Sequence, residues 1–370
     1  MYGLGDSTDL SSFSDTSLTQ VRHSIESYLK SNSKSSIQFK SIVAQEDPIS
    51  QFNQLNHRIN DGKVNITEHS DHHEVIVDRK IKQSGRRVEG SFALFSHDDT
   101  NVWTALTAHD ADFFKRGLNW LVRECNPKIY EFYATSRDLE SVLDNFATSA
   151  VHELDIIVTQ AVAYSHRNQA EVSYKKRPYP VVFRKARKGG NYIDSLNFRA
   201  FTEEKKTYLQ ASLTRDGTTK LQGGNVEVFF NHLLDQYISY GQEKAELFTG
   251  KERHDDTGEV QEIEIQFEHP VFQSVEDNKD LIKAISDLSR TNVTVYHKNP
   301  YAHISVLDFN DGSSCDVFVT DPKTVSIVPS YRGSTNFLMR ISDKLYQELD
   351  ESSIHFIEND SVDVDEFIRS

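Results

Sequence analysis

The sequence predicts a mixed α+β (mixed α/β) protein of two units, the C-terminal one an antiparallel sheet with helices on one face. Three observations carry this. Strand-like alternation and helix-like three-to-four spacing of apolar residues follow one another along both halves of the chain. A polar stretch at 241–261, containing Gly250 and Gly258, separates the halves and is read as a linker. The length, 370 residues, fits two domains or three. Apolar residues make up only 37%, but 22 Phe, 15 Tyr and 2 Trp bring large buried areas. Wholesale disorder, collagen, a coiled coil and a disulfide framework are excluded.

Residues 1–36 hold eleven serines and read as a flexible arm with one amphipathic helix. Its apolar face, Leu18, Val21, Ile25, Tyr28 and Leu29, is suited to docking on the body. The first unit spans 37–240. Ile37–Val43 reads as a strand, Asn60-Asp61-Gly62 as a turn, and Glu74–Lys82 as an alternating strand. Strands Ser91–Phe95 and Val102–Ala108 are joined by His97-Asp98-Asp99. Asp110 is the natural N-cap of a helix carrying Phe113, Phe114, Leu118, Leu121 and Val122, which Pro127 stops. Lys128–Ala134 reads as a strand, and Ser136 caps a helix with Leu139, Val142, Leu143 and Phe146 inward. Leu154–Tyr164 is a long apolar strand. Thr207–Leu213 and Lys220–Gln222 flank the hairpin signal Arg215-Asp216-Gly217, and Val226–Tyr240 has helical spacing.

The second unit, 262–350, has the order α-β-β-β-β-α after an opening strand at Glu262–Phe267. The helix Asp277–Ser289 places Leu281, Ile282, Ile285 and Leu288 inward. Four strands follow, at Val293–Tyr296, Ala302–Phe309, Cys315–Thr320 and Val325–Val328, with Asn310-Asp311-Gly312 turning between two of them. Ser334–Leu349 is a closing helix. Residues 351–370 form an acidic tail, with seven acids and no Lys or Arg between Asp350 and Glu366.

Charge and cysteine content narrow the function. The net charge of −15 opposes generic binding of polyanions, so any nucleic-acid site must be made locally. Cys125 and Cys315 sit in apolar contexts, which fits buried free thiols in a reducing compartment. There is no apolar run long enough for a membrane helix and no secretory leader pattern, so the expected location is cytoplasmic.

The strongest local signal is charge. Residues 167–206 carry eleven Lys/Arg and four acids, a local +7 against −22 elsewhere. Lys175, Lys176, Arg177, Arg184, Lys185, Arg187 and Lys188 are expected to contact phosphates, and Tyr174, Tyr179 and Tyr192 to stack on bases. Gly189-Gly190 offers backbone N–H groups to a phosphate. The acidic tail is expected to fold back on 175–188 and compete with an external polyanion.

Three weaker clusters support other chemistry. His69, Asp71, His72 and His73 are metal-ligand types at close spacing. The segment T-E-H-S-D-H at 67–72 resembles the H-x-H-x-D-H motif of metallo-β-lactamase-like hydrolases, with Thr67 at the first His position. Alternation puts Asp78 and Lys80 on one face of a strand, similar to the way restriction-type nucleases hold Mg²⁺, with Asp61 as the nearest further acid. His97, Asp98 and Asp99, with His109, Asp110 and Asp112, fall at strand ends, where turn and cap duty already explains the acids. Walker A, G-x-G-x-x-G, G-x-S-x-G, H-E-x-x-H and C-x-x-C patterns are absent.

The sequence therefore favours a non-catalytic intracellular protein that binds nucleic acid or another polyanion without a cofactor. Its C-terminal unit is expected to meet a protein partner, within a larger assembly. The alternatives are a Mg²⁺- or Zn²⁺-dependent nuclease or hydrolase using Asp78/Lys80 or His69–His73, and a purely structural subunit.

Overall fold

The computed structural model describes residues 17–32, 35–97, 100–149, 154–249, 262–299, 301–330 and 333–356. The chain divides into two compact units. One takes residues up to Ser165 together with Gln169–Leu247, and the other His166–Asn168 with residues from Phe248 onward.

The first unit is built on one antiparallel sheet. In chain order its elements are α1 (Leu18–Ser31), β1 (Ile37–Ala44), α2 (Pro48–Leu55), β2 (Gly62–Glu68), β3 (His73–Lys80), β4 (Arg87–Ser96) and β5 (Val102–Thr107). Helix α3 comprises Ala111–Phe113, a π-helical segment Phe114–Leu118, and Asn119–Glu124. Next come β6 (Ile129–Tyr130), α4 (Ser136–Ser149), β7 (Asp155–Ser165), β8 (Glu171–Pro178), α5 (Tyr179–Lys188), β9 (Asn191–Phe201), β10 (Thr207–Thr214) and β11 (Thr218–Gly224). Helix α6 comprises Val226–Val228, a π-helical segment Phe229–Leu234, and Asp235–Phe248. The strand order is β2-β3-β4-β5-β1-β11-β10-β9-β7-β8, with β6 paired to the end of β1.

Strand β1 joins two meanders, and every one of its residues is buried. Alternation sends its residues to opposite faces. Ile42 and Ala44 join a core made with α2 and α3, including Phe52, Phe113, Leu118 and Leu121. Phe39 points the other way, its ring 4.8 Å from Phe229 and 5.4 Å from Phe230 of α6. Helices therefore cover both faces of the sheet at its centre. Asp110 caps α3, accepting from the N–H groups of Asp112 and Phe113.

Helix α1 docks on this unit. Val21 and Ile25 are buried, and the Arg22 guanidinium lies over the Phe230 ring and pairs with Glu227 at 3.1 Å. The first part of the stretch read as a linker, 241–248, is helical, with Ala245 and Phe248 buried. Gly241 is a packing residue there, because a Cβ would meet the Phe132 ring at 2.7 Å. Residues 250–261 lie outside the described residues, as do residues 1–16.

The second unit contains β12 (Ile263–Phe267), α7 (Val275–Ser286), β13 (Thr291–His297), β14 (His303–Asp308), β15 (Ser314–Asp321), β16 (Thr324–Pro329), α8 (Thr335–Glu348) and β17 (Ser352–Phe356). The sheet is antiparallel, in the order β13-β14-β15-β16-β12-β17. This is the expected α-β-β-β-β-α order with one further strand, β17, taken from the start of the acidic tail. Residues 357–370 lie outside the described residues. Inward residues alternate along the strands (Ile263, Ile265, Ile304, Val306, Val317, Ile327), and Leu281, Ile285, Phe337, Ile341 and Leu345 of the helices are buried with them. Ser274 and Asp277 form a capping box on α7. Asp308, fully buried, is paired with Arg340 of α8 at 2.5 Å.

Among the described residues, no helix is long and apolar enough to cross a membrane.

Candidate polyanion-binding surface

The basic stretch folds into an edge strand, β8, and the helix that follows it, α5. Pro178 ends the strand, Pro180 sits in the first helical turn, and Gly189 closes the helix. Val182, Phe183 and Ala186 bury one stripe of α5, which leaves the charged side chains outward. Lys175, Lys176, Arg177, Arg184, Lys185, Arg187 and Lys188 are all exposed. Arg187 pairs with Glu140 of α4 at 2.6 Å. The other six have no ion-pair partner among the described residues.

Local structure gives these cations a second duty. Lys175, Lys176, Arg177 and Pro178 stand on an open sheet edge, where charge and proline discourage pairing with another strand. Lys176 has φ 45°, which breaks the regular strand there. Lys185, Arg187 and Lys188 lie in the last turn of α5 and offset the negative end of the helix dipole.

The aromatic and glycine expectations fare differently. Tyr192 is 3% exposed, with its hydroxyl donating to Gln169 at 2.8 Å and Arg215 over its ring, so it cannot stack on a base. Tyr179 donates its hydroxyl to Asp144, and burial together with that carboxylate holds its phenol well above the ordinary range. Tyr174 is half-buried and accepts from the Asn191 amide at 3.2 Å. The Gly189 N–H donates to the carbonyls of Lys185 and Ala186, and the Gly190 N–H to that of Arg187. These two glycines form the C-cap of α5, not a phosphate cradle.

Asp61, Asp78 and Lys80 do come together. They line one open hollow of about 760 Å³ on the sheet, with Lys63, Lys82 and Arg87. Arg87 makes a two-point ion pair with Asp78, Nε to Oδ1 at 2.7 Å and Nη2 to Oδ2. That hydrogen-bonded guanidinium holds the Asp78 carboxyl below its ordinary range. Asp61 lies 3.8 Å from Lys82. The sequence reading missed Arg87 as the group that occupies Asp78. The signal was β-pairing, which sets Lys80 opposite Arg87 and Asp78 opposite Glu89.

The histidine cluster has structural partners. Asp71 Oδ1 accepts from the Leu18 N–H at 2.7 Å and lies 3.1 Å from Nδ1 of the buried His72, which ties the β2–β3 turn to α1. His69 stacks on His72 at 4.7 Å, and His73 faces Trp103 at 6.3 Å. His97 Nε2 lies 2.9 Å from Thr104 Oγ1, and His109 packs on Phe113. Asp112 pairs with Arg86 and Arg116. Asp98 and Asp99 lie outside the described residues. Among the described residues, no group of three or more His, Cys, Asp or Glu is arranged to hold a metal ion.

One cluster escaped the sequence reading altogether. Lys40, on β1, is 0% exposed and reaches Glu131 at 2.9 Å, Asp216 Oδ2 at 3.2 Å and the Asp216 carbonyl at 2.6 Å. Burial alone would push its ammonium down, but Asp216 and Glu131 outweigh it and hold it above the ordinary lysine range. Burial likewise pushes Asp216 up, and Lys40 with Thr218 outweighs that and holds it low. Beside them, the Tyr237 hydroxyl donates to the Thr214 carbonyl and accepts from the Gly217 N–H. The signal was present as the single charged residue, Lys40, in a strand whose other residues are apolar or uncharged.

The chain matches no family model, and no curated protein matches it significantly.

Proposed function

We propose that the first unit binds nucleic acid or another extended polyanion without cleaving it, through Lys175, Lys176, Arg177, Arg184, Lys185 and Lys188. One observation carries the reading. Six exposed cations on consecutive elements lack an ion-pair partner among the described residues, in a chain whose net charge is −15. Edge protection and dipole compensation use only part of so dense a charge. Contact is to the phosphate backbone, since the three tyrosines are engaged within the fold, and so it discriminates little between sequences.

The cationic hollow beside β2–β4 does not serve as a metal-dependent catalytic centre in this account, because Arg87 already neutralises Asp78. The test is a comparison of two triple variants, Lys175→Ala/Lys176→Ala/Arg177→Ala and Arg184→Ala/Lys185→Ala/Lys188→Ala. Each removes three phosphate contacts and should flatten the plot of log affinity against log salt by about 2 to 3. Affinity and slope unchanged in both variants would remove the assignment.

A further inference from the structure

The sheet of the first unit carries cations at both ends of its strand order, and the end away from β8 is built differently. There β2, β3, β4 and the turn between β3 and β4 form the open hollow of about 760 Å³ described above. Four cations line it, Lys63, Lys80, Lys82 and Arg87, against two carboxylates, Asp61 and Asp78. Backbone bonds fix its walls. The Ile81 N–H donates to the Arg86 carbonyl and the Gly85 N–H to that of Ile81, both at 2.8 Å, and Gly85 supplies the left-handed φ of 67° that closes the turn. The Lys80 N–H donates to the Asp61 carbonyl at 2.7 Å, which holds the approach to β2 against the end of β3.

The carboxylates do not use up these cations. Asp78 takes the two-point contact from Arg87, whose Nε also lies 3.8 Å from Glu89. Asp61 lies 3.8 Å from Lys82. Lys63 stands opposite Asp78 in the β2–β3 pairing, and Lys80 stands opposite Arg87 in the β3–β4 pairing. Neither lysine makes an ion pair among the described residues. Like charges directly opposite each other weaken a strand pair. Edge protection accounts for Lys63, which lies on the terminal strand. It does not account for Lys80, whose strand is paired on both sides. A bound anion removes the repulsion between Lys80 and Arg87.

We infer that this hollow binds a compact, multiply phosphorylated small molecule. Two unpaired ammonium groups beside two shared cations call for a ligand with at least two negative charges. Lysine ammoniums on flexible stems meet phosphate oxygens as point charges. The volume falls in the range of small-molecule sites. The cations converge on one hollow, and on the same sheet face the next residue of β4, Glu89, is an exposed acid. That acid closes the face to an extended polyanion and leaves room for a compact one. The site is at the other end of the strand order from β8 and does not rest on the reading of β8 and α5.

The experiment is isothermal titration calorimetry of the full chain with inorganic triphosphate, at about 20 mM salt and without divalent metal. The expected result is saturable binding, weakened at least ~10-fold by Lys63→Ala/Lys80→Ala and unchanged by Arg184→Ala/Lys185→Ala/Lys188→Ala. Asp78→Asn removes a negative charge and frees Arg87, so it should tighten binding about 2- to 3-fold. Citrate, which carries similar charge on carboxylates, should bind at least ~5-fold more weakly than triphosphate. Lys63 and Lys80 are exposed, so the fold does not depend on them; Lys63→Gln/Lys80→Gln takes the place of the alanine pair if that variant fails to fold. No saturable binding, indifference to the Lys63 and Lys80 substitutions, loss with the α5 variant, weakening by Asp78→Asn, or equal affinity for citrate would each overturn the inference.

Discussion

Replacing Lys40 with Met tests the electrostatics at the centre of the first unit. The substitution keeps most of the side-chain volume, so little cavity is added. It removes a buried ammonium that contacts two carboxylates and a backbone carbonyl. The two effects of removal oppose each other. Relief of lysine desolvation favours the variant, while loss of the contacts disfavours it. The direction of the Lys40 shift decides between them: the fold accommodates the charged form better than water does. Removing one partner of a fully buried pair costs about 3–5 kcal/mol. Here the side chains of Glu131 and Asp216 are 39% and 45% exposed and can hydrate once Lys40 is gone. The expected loss is therefore smaller, about 1–3 kcal/mol at neutral pH.

Linkage supplies a second readout. Asp216 is depressed in the folded state, so its contribution is present above the unfolded carboxylate range and is lost as pH falls through its folded value. Lys40 is raised, so its contribution is present below the unfolded lysine range and is lost as pH rises through its folded value. The wild-type advantage should form a plateau between about pH 5 and pH 9, fading on both sides. Urea unfolding followed by circular dichroism across that range measures it. A Lys40→Met variant as stable as the wild type at pH 7, or a difference independent of pH, would refute the reasoning.

Two further predictions concern groups the account treats as inert. Burial pushes the Cys125 thiol up to about 12 and Cys315 higher still, so at pH 8 neither should react with a thiol reagent until denaturant is added; rapid labelling of the folded protein would contradict that burial. Asp78→Asn should leave polyanion binding intact, and wild-type protein with Mg²⁺ should leave an oligonucleotide uncut; Mg²⁺-dependent cutting abolished by Asp78→Asn would restore the nuclease reading.

What was legible in the sequence follows the physics of each element. The second unit was readable because its strands bury one face and expose the other, so apolar residues alternate, and Asn310-Asp311-Gly312 marks a turn. The edge strand β8 was missed because its exposed Lys175-Lys176-Arg177-Pro178 has the composition of a loop. Helix α5 was missed because its four cations fall together in residues 184–188, next to the basic run of β8, and the buried stripe Val182, Phe183 and Ala186 is short. β1 showed as a strand, but not that both its faces are buried, since α3 and α6 reach it from distant parts of the chain. The same distance hid the Lys40 cluster, whose partners Glu131 and Asp216 meet it only through pairing of β1 with β6 and β11. Exposure of the basic side chains agreed with the charge pattern, but the fate of Tyr192 did not, because a ring's burial depends on packing that interleaving does not encode.

The most direct test of the central claim is fluorescence anisotropy of labelled single- and double-stranded oligonucleotides with the full chain, from about 50 to 300 mM salt. Six phosphate contacts predict a log–log slope near −5 on duplex and near −4 on a single strand, with little dependence on base sequence. No binding at the lowest salt, or binding indifferent to salt, would contradict the account.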